Sequence, residues 1–311
     1  MIKKQPEPTV QLRNHFFYSS GRVAFSHALD ILGFCGDEKI LLPAYIGIND
    51  REGSGVMDPV AAAYIPYEFY RIHRDLRADF NDLVEKIQNN TIRAVLLIHY
   101  FGFPQPDLEK IISYCKTRHI AVIEDCAHAY LSTHKGARMG SFGDIGFYSL
   151  HKMLPVPDGG LLVVNNPLLT VTPDKKYSKI SQESLELFFR FDNDRISEKR
   201  IHNYTLLSKK IRQLKGLSVI YPHLPEGVVP LNFPMLVTST KIDRQELYFT
   251  LQNQGIEAVS LYYRIIDAID RNEYPDSAYL SDHIISLPIH QSISDTDIET
   301  MATTLKQILD V

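Results

Sequence analysis

The chain has 311 residues, 44% of them hydrophobic and 23% charged, with a formal net charge of −4. That length and apolar content suit a large core divided between two domains. The near-balanced charge, without long single-sign runs, gives no sign of a nucleic-acid footprint, and small-molecule substrates are expected.

The opening MIKKQPEPTVQLRNHFF sets prolines and polar residues where a secretory signal needs a continuous apolar stretch. No segment approaches the roughly 18 apolar residues of a membrane span, so a cytoplasmic protein without a membrane partner is expected. Cys35, Cys115 and Cys126 are scattered and lack CxxC spacing, which reads as reduced thiols rather than a disulfide framework or zinc site. The twelve histidines show no metal-ligand spacing, and no metal is expected.

Past an N-terminal arm at 1–14, apolar periodicity predicts a helix from Gly21 to Leu32. A buried strand is expected at Ile40-Leu41-Leu42, closed by Pro43, and another from Ala61 to Ile65. An amphipathic helix around Phe80 to Ile87 leads into the apolar run Ala94 to Ile98, a buried strand ended by Gly102 and Pro104. A helix (Asp107 to Thr117) and a strand (Ile120 to Ile123) follow. Strands at Ile145 to Ser149 and Gly160 to Val164 bracket an irregular stretch. This alternation predicts an α/β fold with a mostly parallel sheet covered by helices on both faces.

From Ser181 to Leu214 the pattern is helical and charged, with Glu198-Lys199-Arg200 at its middle, and reads as the link between domains. Beyond Gly216, strands at Phe233 to Val237 and Ala258 to Leu261 alternate with helices at Arg244 to Asn253 and Asp295 to Leu309. The expected division is a large domain at 15–200 and a smaller α+β domain at 201–311.

Ligands of open parallel sheets collect beyond the carboxyl ends of the strands. Three such points carry chemistry: Asp125 with His128 three positions on, Ser149 with Lys152, and the helix start Ser20-Gly21-Arg22-Val23. A helix N-terminus offers free N–H groups and a positive dipole end to an anion, and Arg22 adds a fixed charge suited to phosphate. Singly, each has a plain structural reading: an N-cap, a helix-capping carboxylate, a solvated lysine. Together they supply a phosphate cradle, a carboxylate for a pyridinium nitrogen and an amine for an aldehyde, the set that pyridoxal phosphate requires. No G-x-G-x-x-G follows the first strand, and no G-x-x-x-x-G-K-[ST] occurs, which excludes a dinucleotide site and a P-loop.

The segments VIEDCAHAY and GSFGDIGFYSLHKMLPVPDGGLLVVNN, with SSGRVAFSHAL and GDEKILLPAY before them and GIEAVSLYY to LPIHQSISDTDI after, resemble the DegT/DnrJ/EryC1/StrS family of pyridoxal-phosphate-dependent sugar aminotransferases. The resemblance implies the fold-type-I transferase fold and a homodimer. It implies Lys152 as the lysine joined to the cofactor, Asp125 on the pyridine nitrogen and His128 near the phenolic oxygen. Gly21, Arg22 and Val23 would bind the phosphate through backbone amides, with Ser149 as a hydroxyl contact. Tyr45 is the candidate for stacking on the pyridine ring, against the competing reading of a rim aromatic.

Two departures bear on these roles. Family members commonly place two more residues between the serine and the lysine than Ser149 to Lys152 does, and SLELFFRFDNDRISEKRIHNY replaces the stretch that usually helps build the sugar site. The implied reaction is amino transfer from glutamate to a keto-sugar acceptor, nucleotide-linked, in amino-sugar or cell-surface polysaccharide biosynthesis. Two alternatives stay open: sugar dehydration on the same scaffold, since dehydratases resembling this family carry His at the lysine position and His151 is adjacent, and a non-catalytic sensor of the cofactor or an amino sugar. His99, Tyr100, Tyr262, Tyr263 and His290 are explained equally well by packing.

Overall fold

The computed structural model describes residues 14–172 and 175–310. Most of the expected arm, residues 1–13, lies outside them. In chain order the large sheet and its covering elements are β1 (His15–Tyr18), α1 (Gly21–Leu32), β2 (Lys39–Pro43), α2 (Met57–Ala62), β3 (Tyr67–Tyr70), α3 (Phe80–Asn89), β4 (Ile92–Ile98), α4 (Leu108–Lys116) and β5 (Ala121–Asp125). After a two-residue ribbon, β6 (Thr133–His134) and β7 (Ala137–Arg138), come β8 (Ile145–Ser149) and β9 (Gly160–Val164).

Seven strands form one sheet in the order β1-β9-β8-β5-β4-β2-β3. β8, β5, β4, β2 and β3 run parallel, whereas β9 is antiparallel to β8 and β1 to β9. The inner strands are near-continuous apolar runs because both faces are buried. Pairing sets Ile98 beside Asp125 and Asp125 beside Phe147, so the carboxyl ends of three strands finish abreast.

The N-terminus of α1 is held against this sheet. Ser20 caps the helix, its Oγ accepting the Val23 N–H at 3.2 Å, and the helix packs on β8 and β9. The approach is close: a Cβ on Gly160 would overlap the Ser20 carbonyl and sit 2.7 Å from the Gly21 nitrogen.

The expected strand at Ala61 to Ile65 is a correction. Residues 57–62 are helical (α2), and the strand lies at Tyr67–Tyr70. Pro59 is accommodated in the first helical turn, and alanines 61–63 favour helix, while the aromatic Tyr67-Glu68-Phe69-Tyr70 suits a pleated strand.

The charged stretch after β9 forms two helices, α5 (Gln182–Phe188) and α6 (Asn193–Ile211), separated where Asp192 caps α6 through the Arg195 N–H. α6 runs unbroken through residue 200. Then follow β10 (Leu217–Val219), β11 (Asn232–Val237), α7 (Arg244–Asn253), α8 (Pro275–His283), β12 (Ile284–Pro288) and α9 (Asp295–Asp310). β10, β11 and β12 make a separate antiparallel sheet. The strand expected at Ala258 to Leu261 is reduced to one bridge, Val259 to Ser286, because the chain then leaves the sheet toward the large one. Among the described residues, no helix is long and apolar enough to cross a membrane.

Candidate active site

A cavity of about 590 Å³ opens at the carboxyl ends of β4, β5 and β8. It is lined by the strand ends Ile98, Asp125 and Phe147, by the α1 start Ser20-Gly21-Arg22, and by His128, Ser149, His151 and Lys152. Two further segments close it: residues 46–49 and 51–56 after β2, and residues 260–263 between α7 and α8. Hydrogen bonds from Ile48 N to Arg264 O and from Ile266 N to Ile46 O join these two segments, and Asp50 pairs with Arg264 at 2.6 Å.

Strand alternation turns Asp125 toward the cavity. It is 6% exposed, its Oδ1 accepts the Ala127 N–H at 2.9 Å, and burial raises its pKa above the ordinary carboxylate range against the Ala127 contact and the charge of Lys152. Lys152 ends the 3-10 turn Leu150–Lys152 that follows β8. Its Nζ lies 3.1 Å from His128 Nε2, and although the side chain as a whole is exposed, desolvation of the amine in the cavity lowers its pKa against Asp125 and Glu52. His128 is held well below its usual value, first by burial and then by the Lys152 charge, while its Nδ1 accepts the Phe101 N–H at 3.2 Å.

Gly21 abuts the end of β8: a Cβ there would meet Ser149 Cβ and the Tyr148 carbonyl, each at 3.2 Å. The first amides of a helix have no intrahelical acceptors, so those of Gly21 and Arg22 are available at the cavity wall. The Arg22 guanidinium is engaged elsewhere, with the Glu52 carbonyl and with Asp58 at 3.3 Å. Ser149 is buried on the lining, its Oγ 3.4 Å from His151 Nδ1.

Two sequence-predicted residues are not brought to the cavity. Val23 does not line it, and its amide is spent on the Ser20 cap. Tyr45 is fully buried behind Tyr262, its ring stacked on that of Tyr262 at 5.2 Å and its hydroxyl donating to the Tyr262 carbonyl at 3.3 Å. Tyr262, in a left-handed conformation (φ 62°), is the aromatic that reaches the lining, also touching Tyr100, Phe101 and His128. A local pattern gives no sign of this, because a tertiary contact between the segment after β2 and residues 260–266 creates it.

Two charged residues beside the site escaped sequence reasoning. Glu124 is wholly buried, with both carboxylate oxygens satisfied by His99 Nε2 at 3.0 Å and the amides of Gly140, Phe142 and Gly143. Cys126 offers a third potential ligand atom near this pair, yet the carboxylate is already saturated. Arg200, placed by its neighbours in a solvated run, is 3% exposed and donates to the carbonyls of Leu231 at 2.8 Å and Met153 at 3.5 Å.

The α/β fold is that of the fold-type-I aminotransferases. The fold aligns over 96% of the chain and 86% of TlmJ from Streptoalloteichus hindustanus (TM-score 0.81, 20% identity), and over 95% of the chain and 86% of Helicobacter pylori PseC, an aminotransferase involved in the biosynthesis of pseudoaminic acid (TM-score 0.78, 16% identity). The model of the DegT/DnrJ/EryC1/StrS aminotransferase family matches residues 72–175 and 191–306, more than half of the sequence, and the chain belongs to that family. GDP-perosamine synthase of Escherichia coli O157:H7 is 32% identical over 166 residues, 50% of this chain and 43% of that protein. The UDP-4-amino-4,6-dideoxy-N-acetyl-beta-L-altrosamine transaminase of Campylobacter jejuni is 23% identical over 281 residues, 78% of this chain and 73% of the relative.

Proposed function

We propose that the protein is a cytoplasmic pyridoxal-phosphate-dependent aminotransferase that moves an amino group from glutamate to a nucleotide-linked keto-sugar in amino-sugar or polysaccharide biosynthesis. The observation that carries this reading is the Lys152 amine, 3.1 Å from His128 Nε2, in a cavity that also presents Asp125. The donor set fits the cofactor: an amine for its aldehyde, a carboxylate for its ring nitrogen, and helix amides at Gly21 and Arg22 with the Ser149 hydroxyl for its phosphate. His128 Nε2 would reach its phenolic oxygen, and Tyr262 supports the ring-stacking role better than Tyr45 does.

Bound pyridoxal phosphate would supply an electron sink for charge developing on the substrate carbon. Lys152 Nζ, as the free amine, takes and returns the substrate proton, work for which a lowered pKa suits a lysine. Asp125 holds the proton of the group it faces, and its burial means that ionisation needs a cationic partner. The segments 46–56 and 260–263 restrict water at the reacting atoms. In this reading the large domain is 15–200, the small domain 201–311, and the working unit a homodimer.

The test is direct. Protein incubated with pyridoxal phosphate should turn yellow, the band should bleach with borohydride, and Lys152→Ala should lack it. Loaded enzyme given glutamate and a panel of 4-keto and 3-keto nucleotide sugars should release 2-oxoglutarate. A loaded enzyme that releases none with any acceptor sinks the aminotransferase reading.

A further inference from the structure

Lys152 Nζ faces a ring nitrogen whose protonation is already decided on the other side of the ring. Phe101, in a left-handed conformation (φ 57°) after β4, donates its backbone N–H to His128 Nδ1 at 3.2 Å. A neutral imidazole has one N–H and one lone pair. With a backbone donor on Nδ1, the lone pair is there and the proton is on Nε2. Nε2 is 3.1 Å from Lys152 Nζ. An ammonium has three donors and no acceptor, so it cannot receive that N–H, whereas a free amine can. The opposite tautomer sets N–H against N–H at Phe101. An imidazolium does the same and adds like charge beside the lysine. Only a neutral His128 with a neutral Lys152 makes both contacts hydrogen bonds.

We propose that His128, locked by the Phe101 amide as its Nε2–H tautomer, is a positioning residue that donates to Lys152 Nζ and keeps this amine stored as the free base. The proposal rests on the lysine role assigned above and specifies how the cofactor-free site prepares it. An amine held this way needs no prior proton loss before meeting an aldehyde.

The other groups facing the pair come from separate elements. Asp125 on β5 and Glu52 in the segment after β2 both favour the ammonium. His151 lies in the lysine's own turn, and its pKa is lowered by burial and by the Lys152 charge. Tyr262, between α7 and α8, sets its ring edge-on to His128 at 5.9 Å, and burial raises its hydroxyl well above the ordinary value, so it adds no charge. Desolvation at the Lys152 amine outweighs the two carboxylates and acts in the same direction as the His128 contact.

Two measurements on the full chain without added cofactor decide the matter. In protein labelled with 15N-histidine, His128 should show Nδ1 as the bare nitrogen and Nε2 as the protonated one at neutral pH. A proton on Nδ1, or on both nitrogens, overturns the proposal without any variant. Acetylation of Lys152 by acetic anhydride, followed by peptide mass across pH, should give a midpoint below the ~10.4 of an ordinary lysine. His128→Gln should preserve that midpoint, because its amide oxygen accepts from Phe101 and its NH2 donates to Nζ. His128→Leu should raise it by about one unit, the worth of one hydrogen bond. Equal midpoints in the wild type and His128→Leu, or the same rise in both variants, overturn it. Failure of the protein to take up pyridoxal phosphate, with tautomer and midpoints as expected, removes the enzymatic reading and leaves this one standing.

Discussion

Glu124 and Asp125 are consecutive on β5 and serve opposite faces of one sheet: Asp125 faces the cavity, while Glu124 turns away from it to bind His99 and three amides of the 140–143 turn. Burial opposes ionisation of Glu124, but the His99 contact and the amides outweigh it, and the carboxyl is held below its ordinary value. A depressed carboxylate contributes stability that is present above its unfolded value, about 4.3, and lost as the pH falls through the folded one. Glu124→Ala should therefore cost about 3–5 kcal/mol at neutral pH, since it strands a buried histidine and three donors. In urea titrations at a series of pH values, Glu124→Gln should lose less stability than the wild type on acidification below pH 4. Parallel acid profiles would show that the Glu124 charge is not what holds the turn.

The fit of α1 against β9 predicts opposite outcomes for two glycines. A Cβ on Gly160 collides with the Ser20 carbonyl and the Gly21 amide, both backbone, so the helix start must move. Gly160→Ala should weaken pyridoxal phosphate binding at least tenfold in equilibrium titration and lower the melting temperature. Gly55 lines the same cavity, but a Cβ there meets nothing within 4 Å. Gly55→Ala should bind like the wild type, and equal losses in the two variants would refute the cradle.

Much of this site is legible in the sequence for a physical reason. Apolar runs such as Ala94 to Ile98 announce buried strands, and in a parallel sheet the residues just past such runs converge, which brings Asp125, Ser149 and Lys152 to one place. What the sequence hides are contacts between distant segments. Tyr262 displaces Tyr45 from the lining because residues 260–266 cross to the segment after β2, and no local period encodes that crossing. Arg200 reads as solvated from Glu198 and Lys199, yet on α6 it falls on the face shared with Ile196, Asn203, Tyr204 and Leu207, which is buried. The strand misplaced at Ala61 to Ile65 shows the ambiguity of a short apolar run whose alanines favour helix.

Arg200 makes its own prediction. It joins the carbonyl of Met153, next to Lys152, to those of Pro230 and Leu231, and its Nε has no partner among the described residues. Burial without a nearby carboxylate lowers its pKa to about 10. Arg200→Ala leaves a cavity and unpaired carbonyls and should cost about 3 kcal/mol. Arg200→Met fills most of the volume and removes the desolvated charge, so it should cost less than half of that. Chemical denaturation gives both values, and a methionine variant less stable than the alanine variant would mean that packing is not the larger effect.

Asp125 separates chemistry from binding. Asp125→Asn keeps the size of the side chain and an oxygen that can accept the Ala127 N–H, so the strand end and the cavity wall should remain in place. What is lost is the negative charge that, in the proposed function, would face the ring nitrogen of the cofactor, and a preorganised charge of this kind is typically worth on the order of 10²–10³ in rate. The variant should still take up pyridoxal phosphate in a borohydride-sensitive form through Lys152, while 2-oxoglutarate release falls by at least about a hundredfold. Because Asp125 also favours the charged form of Lys152, its neutralisation should lower the pH midpoint of Lys152 acetylation in the cofactor-free protein. The two readouts move for different reasons. An activity loss with an unchanged midpoint would place Asp125 too far from the amine to act on it, and retention of full activity would remove the carboxylate from the mechanism.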